Sequence, residues 1–271
     1  MDLTSERVVA GAASYIAHET PAALIRFGEG EGRVLCARYH EPGSIKVAAN
    51  KLKRQMGSAY PVDDVLRIRS MLTRAFDRAD IVGLRGDSRF RPEHDMWVKR
   101  IEALFAERVA AGRAPAVITH CQVNTDLLAH LGTLLGAQEL VSVISSRDVR
   151  AHICSRYGVA DVAVYPVPSQ YVMREVDDGY EARLHNVPFW PDYYFDLRER
   201  IVVRRPGEVF LVGAGILGKE LCLTVKERGG IALDMGSTLD AMVGKVTRGS
   251  RRPAPYRPVT AEHRSHRWRK A

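Results

Sequence analysis

Two acidic residues set between glycines could form an oxygen-rich binding site near the N-terminus. Residues 26–32 read Arg-Phe-Gly-Glu-Gly-Glu-Gly, which places Glu29 and Glu31 two residues apart after an apolar run. A carboxylate pair with open coordination positions suits Mg²⁺ or Mn²⁺ bound to a diphosphate, and Arg26 could bind a phosphate directly. The pattern predicts that Glu29 and Glu31 are metal ligands at a strand end. The alternative is an acidic hairpin turn in solvent.

A second glycine-rich segment follows another apolar run near residue 213. Gly213, Gly215 and Gly218 have the GxGxxG spacing of dinucleotide-binding turns, and Asp234 follows Gly213 by 21 residues, where a ribose-binding acid would lie. A helix beginning here would attract a phosphate to its N-terminus. Few residues remain after Asp234 for the further units of a dinucleotide fold, so a phosphate or nucleotide contact is favoured. An NAD(P)- or S-adenosylmethionine-dependent enzyme stays an alternative, as does simple packing of a helix on a strand.

Short apolar runs that alternate with amphipathic segments are expected to position both motifs. Strands are predicted at 22–27, 34–39, 80–84, 116–119, 140–144, 162–167, 209–212 and 230–233. Helices are predicted at 4–19, 62–78, 93–111, 122–136, 146–157 and 216–229. This alternation predicts a Rossmann-like α/β fold, with a mostly parallel sheet and helices on both faces. Ligands of such sheets bind at the carboxyl ends of strands, where both motifs fall.

The net charge of +8 is concentrated at the C-terminus of the 271-residue chain. Residues 248–271 hold eight basic residues and one acidic residue, or +7, which leaves about +1 for residues 1–247. Such a proline-rich basic segment cannot bury enough apolar surface to fold. We therefore predict one globular domain over 1–247 and a disordered tail over 248–271. A nearly neutral body argues against a nucleic-acid-coating domain.

The apolar runs and the cysteines limit the location of the protein. No apolar run approaches the ~20 residues of a membrane span, and no signal peptide is visible. The four cysteines are far apart and form no CxxC pair, which favours free thiols in the cytosol. A cytoplasmic protein is expected, and the basic tail could hold it at the inner face of a membrane.

The two motifs together resemble those of the GT-D-type glycosyltransferases, whose fold was first described from a bacterial domain family of unknown function. The resemblance rests on Arg26–Glu31, on Val212–Lys219 and on 232–240, which reads Ala-Leu-Asp-Met-Gly-Ser-Thr-Leu-Asp. It implies a metal-assisted transferase that moves a sugar from a nucleotide-diphosphate sugar, with a UDP-sugar favoured and Mn²⁺ or Mg²⁺ as cofactor. The implied acceptor is a glycan, a lipid-linked glycan or a glycoprotein, in bacterial polysaccharide or glycoprotein assembly.

The resemblance also implies roles for individual residues. Glu29 and Glu31 would hold the metal and act in catalysis. The residues implied to bind the nucleotide sugar are Arg26, Gly28, Gly30, Gly213, Gly215, Lys219, Asp234 and Ser237. Two positions depart from the family pattern. Glu29 stands where the family usually has aspartate, and Ser237 stands where a histidine often follows.

An acceptor hydroxyl would need a base, and several residues are candidates. His120 follows a predicted strand, and Asp87 lies in the loop after another strand. Both are predicted catalytic residues, while Asp234 and Asp240 are further candidates. The aromatic residues of 185–197 could stack on a sugar ring or pack on the core. The tail could contact anionic lipid, or it could be a solubilising end without a partner. A protein that binds nucleic acid or an anionic membrane through the tail is a further alternative function, although a nucleic-acid partner is disfavoured.

Overall fold

Seven parallel strands form one sheet in the described part of the computed structural model. The structure describes residues 5–84, 92–112, 117–120, 123–169, 183–184 and 186–245. The strands are β1 (Ala22–Phe27), β2 (Ile81–Leu84), β3 (Val117–His120), β4 (Leu140–Ser145), β5 (Asp161–Pro166), β6 (Val209–Gly213) and β7 (Ile231–Asp234). Their order across the sheet is β3-β2-β1-β7-β6-β4-β5. The predicted Rossmann-like α/β fold is thereby confirmed.

The first and last strands of the sheet are neighbours. In the register of the sheet, Leu24 of β1 lies opposite Ile81 of β2 on one side and Leu233 of β7 on the other. Both pairings are parallel, so the carboxyl ends of β1, β2 and β7 share one edge. This topology brings the N-terminal and C-terminal motifs together, although about 200 residues separate them.

Helices cover both faces of the sheet. One face carries α2 (Glu29–Leu35), α3 (Pro42–Met56), α4 (Val62–Arg78), α5 (Pro92–Ala110), α9 (Tyr194–Arg200) and α10 (Gly218–Glu227). The other face carries α1 (Ser5–Ala17), α6 (Val123–Ala129), α7 (Leu131–Leu135), α8 (Arg150–Tyr157) and α11 (Thr238–Met242). The strands are buried on both sides, which explains why they read as continuous apolar runs.

Packing against the sheet follows the helical periodicity of the sequence. Val65, Ile68 and Leu72 of α4 are buried at the three- and four-residue spacing that predicts a helix. The Phe27 and Phe76 rings meet edge to face, with centroids 5.1 Å apart, and so fix α4 on β1. Within the described ranges, no helix is both long and apolar enough to cross a bilayer.

Three sequence predictions of local structure differ from the observed fold. The strand predicted at 34–39 is wrong, because residues 29–35 form α2. Helix α3 was not predicted, although Pro42 lies in its first turn and Gly57 ends it in the left-handed region, with φ of 82°. The single helix predicted at 122–136 is two helices, which meet at a non-helical His130.

The aromatic residues of the predicted loop at 185–197 belong to the core. Phe189, Trp190 and Tyr194 are between 0% and 6% exposed and lie in a helical turn followed by α9. Their rings pack on one another with centroids 5.6–6.2 Å apart. These three rings are therefore not available to stack on a sugar. His185 and the predicted tail at 248–271 lie outside the described residues.

Candidate active site

Asp234 joins three elements at the carboxyl edge of the sheet. It ends β7 and is 3% exposed. Its Oδ2 atom accepts a hydrogen bond of 3.0 Å from the backbone N–H of Arg26 on β1 and one of 2.6 Å from Nζ of Lys219 on α10. A buried carboxylate needs such partners, because an uncompensated charge is costly inside a protein. Asp234 thus links the two motifs that the sequence predicted to act together.

Lys219 lies between two acidic side chains. Its Nζ atom is 2.6 Å from Asp234 Oδ2 and 3.5 Å from Glu31 Oε1, and the residue is 3% exposed. The first turn of a helix disfavours a cation, because the macrodipole is positive there. The two carboxylates therefore have to stabilise the ammonium group at this position.

Glu29 and Glu31 lie in the first turn of α2 and not in an open loop. Residues two apart on a helix project about 200° apart around its axis, so the two carboxylates face different neighbours. Glu31 accepts a hydrogen bond of 3.0 Å from the backbone N–H of Gly28, which caps the helix. Glu29 instead pairs with Arg33 and with Nζ of Lys51, the latter at 3.5 Å.

This arrangement does not offer a shared divalent ion a ready set of ligands. Glu29 and Glu31 diverge, and each already contacts a basic side chain. Over the ranges with described side chains, no group of three histidine, cysteine, aspartate or glutamate residues is placed to hold a metal ion. The residues as arranged do not fit the implied cofactor, and metal binding stays a prediction.

Arg26 lies beside Asp234 and reaches a residue that the sequence analysis missed. Its guanidinium donates a hydrogen bond of 3.0 Å to Oδ1 of Asn124, and its Nε atom is 3.8 Å from Asp234 Oδ2. The buried Asn124 also donates to the carbonyl of Met235, at 3.0 Å. Gly236, with φ of +50°, leaves room for Arg26, because a methyl group there would overlap the guanidinium. The one sequence signal for Asn124 was its position just after β3.

A second, partly buried ion pair lies at the same edge of the sheet. Arg147 follows β4, is 1% exposed, and donates a hydrogen bond of 2.7 Å from Nε to Asp240 of α11. The hydroxyl oxygen of Ser145 accepts the backbone N–H of Arg147, at 3.0 Å. Arg147 was missed by sequence reasoning because its partner is 93 residues away along the chain. The pair orients the Asp240 carboxylate.

Each glycine of the GxGxxG segment is required by its local surroundings or by its backbone conformation. A methyl group at Gly213 would lie 2.8 Å from Leu239 Cδ1, and one at Gly218 would lie 3.2 Å from Ala214 Cβ. Gly215 has φ of +61°, which favours glycine.

The start of α10 is less open to a phosphate than the sequence predicted. The backbone N–H groups of Gly218 and Lys219 donate to carbonyls of the preceding turn, so they are not free for a ligand. Gly213 and Gly215 remain half-buried in the turn before the helix, and Ser237 is half-buried just before α11. These three positions stay predicted contacts of the nucleotide sugar.

The predicted base candidates differ in how far the structure describes them. The backbone of His120 ends β3 and lies opposite Leu84, which in turn lies opposite Phe27. Two strand spacings put His120 about 10 Å from β1 along the same edge. Asp87 lies outside the described residues. The catalytic roles of both residues stay predictions.

Among the described side chains that form ion pairs around the end of β1, basic groups outnumber acidic groups. The cluster contains the carboxylates of Glu29, Glu31 and Asp234 and the cations of Arg26, Arg33, Lys51 and Lys219. Three negative and four positive charges give a net charge of +1. A site of this charge at a strand edge is suited to an anionic ligand.

Two surface cavities of the described residues lie away from this cluster. One of about 380 Å³ lies at the amino edge of the sheet, next to Glu19 and Gly207. The other, of about 240 Å³, lies between α4 and α9 next to Arg67 and Phe195. Residues 85–91, which follow β2, and residues 170–182, which come after β5, are outside the described residues.

Comparison with solved structures agrees with the fold. A selenomethionine-substituted structure of domain of unknown function 1792 is similar to this chain, with a TM-score of 0.51 and 15% sequence identity. The similarity covers 87% of this chain and 78% of that chain. No protein-family model and no curated protein matches the sequence. At this identity the likeness concerns the fold alone, and it agrees with the fold that the motif resemblance implied.

Proposed function

We propose that this chain is a glycosyltransferase that moves a sugar from a nucleotide-diphosphate sugar to an acceptor hydroxyl. The observation that carries the proposal is the 3.0 Å hydrogen bond from the Arg26 backbone to Asp234. It joins, at one strand edge, two motifs that resemble those of one transferase family. The similarity to the solved domain supports the fold that this function requires. A UDP-sugar donor and a glycan, lipid-linked or glycoprotein acceptor follow from the resemblance.

The charge distribution suits the chemistry of glycosyl transfer. The bond between the anomeric carbon and the diphosphate oxygen breaks, and negative charge develops on the leaving diphosphate. Arg26, which is about one-fifth exposed and hydrogen-bonded to Asn124, is placed to stabilise that charge. The acceptor oxygen forms the new bond to the anomeric carbon, and its proton passes to a base.

The candidate bases are Asp240, His120 and Asp87, of which Asp87 lies outside the described residues. The ion pair with the buried Arg147 fixes the position of the Asp240 carboxylate. The backbone of His120 is at the same edge, two strands from β1. We expect replacement of the true base to lower turnover without weakening donor binding.

Ligand binding by calorimetry tests the proposal against its main alternative. UDP should bind the protein if the proposal holds, whereas NAD or S-adenosylmethionine should bind instead if the GxGxxG segment serves the alternative enzyme class. Arg26→Gln should weaken UDP binding by about tenfold or more, since it removes a charge-assisted contact. Arg78→Gln is the matched control. Arg78 pairs with Glu227 at the C-terminal end of α4, which lies at the amino edge of the sheet and away from the site. Binding of NAD or S-adenosylmethionine without binding of UDP would contradict the proposal.

The basic segment 248–271 is expected to bring the catalytic body to an anionic membrane surface. Each basic residue near such a surface contributes about 1 kcal/mol. Removing residues 248–271 should abolish sedimentation with vesicles that contain phosphatidylserine and leave UDP binding unchanged. Retained sedimentation would show that the tail is not the lipid contact. If the full-length chain instead binds RNA with a steep dependence on salt, and the truncated chain does not, the tail has a nucleic-acid role.

A further inference from the structure

The Lys219 ammonium occupies the space between Glu31 of the N-terminal motif and Asp234 at the end of β7. It lies 2.6 Å from Asp234 and 3.5 Å from Glu31, and both Lys219 and Asp234 are 3% exposed. A divalent ion bound at about 2.1 Å to Asp234 Oδ2 or Glu31 Oε1 would lie against this ammonium group. Ammonium and metal would repel each other, so this pair of oxygens can hold Lys219 or a metal ion, but not both together.

Glu29 is neutralised separately by a packed lysine. Its carboxylate contacts Lys51 Nζ at 3.5 Å and also pairs with Arg33. A methyl group at Gly30 would lie 2.7 Å from Cε of Lys51, so the glycine leaves room for the lysine stem to cross α2. Glycine inside a helix is destabilising, and the passage of Lys51 gives a structural reason for it here. Glu29 is thus a partner of basic side chains within the protein.

From these contacts we propose that the protein supplies its own cations at this site and binds its nucleotide diphosphate without a divalent metal. Lys219 takes the place that a metal ion would hold between Glu31 and Asp234. The cluster of three carboxylates and four basic groups already has a net charge of +1, so it attracts a diphosphate without further neutralisation. The inference rests on the proposed function, because it concerns the donor of that reaction.

The first experiment compares UDP binding to the chelator-treated full-length protein with and without excess Mn²⁺. The proposal expects the two dissociation constants to agree within about threefold. Binding that vanishes with chelator and returns with Mn²⁺ would overturn the inference and leave the proposed function standing. Absence of UDP binding under both conditions would overturn the proposed function and, with it, metal-free binding of UDP, and the Mn²⁺ titration then decides only whether Lys219 takes the place of a metal ion.

The second experiment titrates Mn²⁺ alone and follows the free ion by electron paramagnetic resonance. The wild-type protein should bind no Mn²⁺ at this site. Lys219→Met should gain Mn²⁺ binding, since Glu31 and Asp234 lose the cation that they share. Lys226→Met is the matched control, because Lys226 is on the same helix and pairs with Asp80 at 2.8 Å, yet lies at the other end of α10.

The outcome of the Mn²⁺ titration is decisive in either direction. Mn²⁺ binding by the wild-type protein that is lost in Glu31→Gln would overturn the proposal, because the acid would then be a metal ligand. The same holds if wild type and Lys219→Met bind Mn²⁺ equally well. If circular dichroism shows that Lys219→Met does not fold, the wild-type and Glu31→Gln titrations still decide the question.

Discussion

Replacing Asp234 with alanine should strongly destabilise the protein, because three parts of the fold depend on one carboxylate. The substitution leaves Lys219 buried, with Glu31 at 3.5 Å as its remaining acidic contact. Breaking a buried pair in this way costs about 3–5 kcal/mol. The backbone N–H of Arg26 also loses its acceptor, which costs about 1–3 kcal/mol if water cannot replace it.

The measurement is urea-induced unfolding followed by tryptophan fluorescence, for which the buried Trp190 is a probe. Because Glu31 still offsets part of the lysine charge, we expect a loss of about 3–5 kcal/mol in the free energy of unfolding. That corresponds to a fall of roughly 6–20 °C in melting temperature. Asp234→Asn should fall between wild type and alanine, since its amide oxygen can still accept the Arg26 N–H.

A surface ion pair provides the matched control. Asp161 contacts Arg204 at 2.7 Å, but its side chain is 66% exposed. Asp161→Ala should therefore cost less than about 1 kcal/mol. If Asp234→Ala stays within about 1 kcal/mol of wild type, Asp234 does not link β1, β7 and α10 energetically, and the reasoning about the site is refuted.

Three further predictions address a glycine, a buried acid and a buried thiol. Gly236→Ala should weaken UDP binding by about tenfold by displacing Arg26. Gly244→Ala is the control: Gly244 also has a positive φ, of +74°, but open space around it, so the substitution strains only the backbone and should leave UDP binding unchanged. Burial raises the pKa of Glu220 above its usual value, so its contribution to stability is complete at low pH and is lost as the pH rises through the raised pKa. The stability of wild type relative to Glu220→Gln should therefore decrease from pH 4.5 towards neutral pH in parallel urea titrations, and a difference independent of pH would contradict this. Burial also raises the pKa of the fully buried Cys222 thiol, so mass spectrometry should find it unmodified by iodoacetamide until urea unfolds the chain.

The fold was predictable from the sequence because its signals are local. Apolar runs such as Val209–Val212 and Ile231–Leu233 marked strands that are buried on both faces. The alternation with helices then restricted the topology to a parallel sheet. The meeting of Arg26 with Asp234 followed from this fold, since both end parallel strands that turn out to be neighbours.

The geometry of the site was less predictable, because it depends on contacts between distant residues. The glycines of the first motif favoured a turn, yet Glu31 caps Gly28 and Lys51 packs over Gly30, so the segment is helical. Asn124 and Arg147 carry no motif of their own. Their roles appear only once the sheet has placed Arg26 and Asp240 beside them.

Both motifs use glycine to make room for basic side chains. Gly30 leaves space for Lys51, and Gly236 leaves space for Arg26. Lys219 is likewise buried between two carboxylates. A metal site with open positions would need the opposite arrangement, with carboxylates free of basic partners and converging on one point. The packing of three basic side chains against these acids therefore favours the proposal that the positive charge of the site comes from the chain itself, and UDP binding to the chelator-treated protein should show that the divalent ion is dispensable.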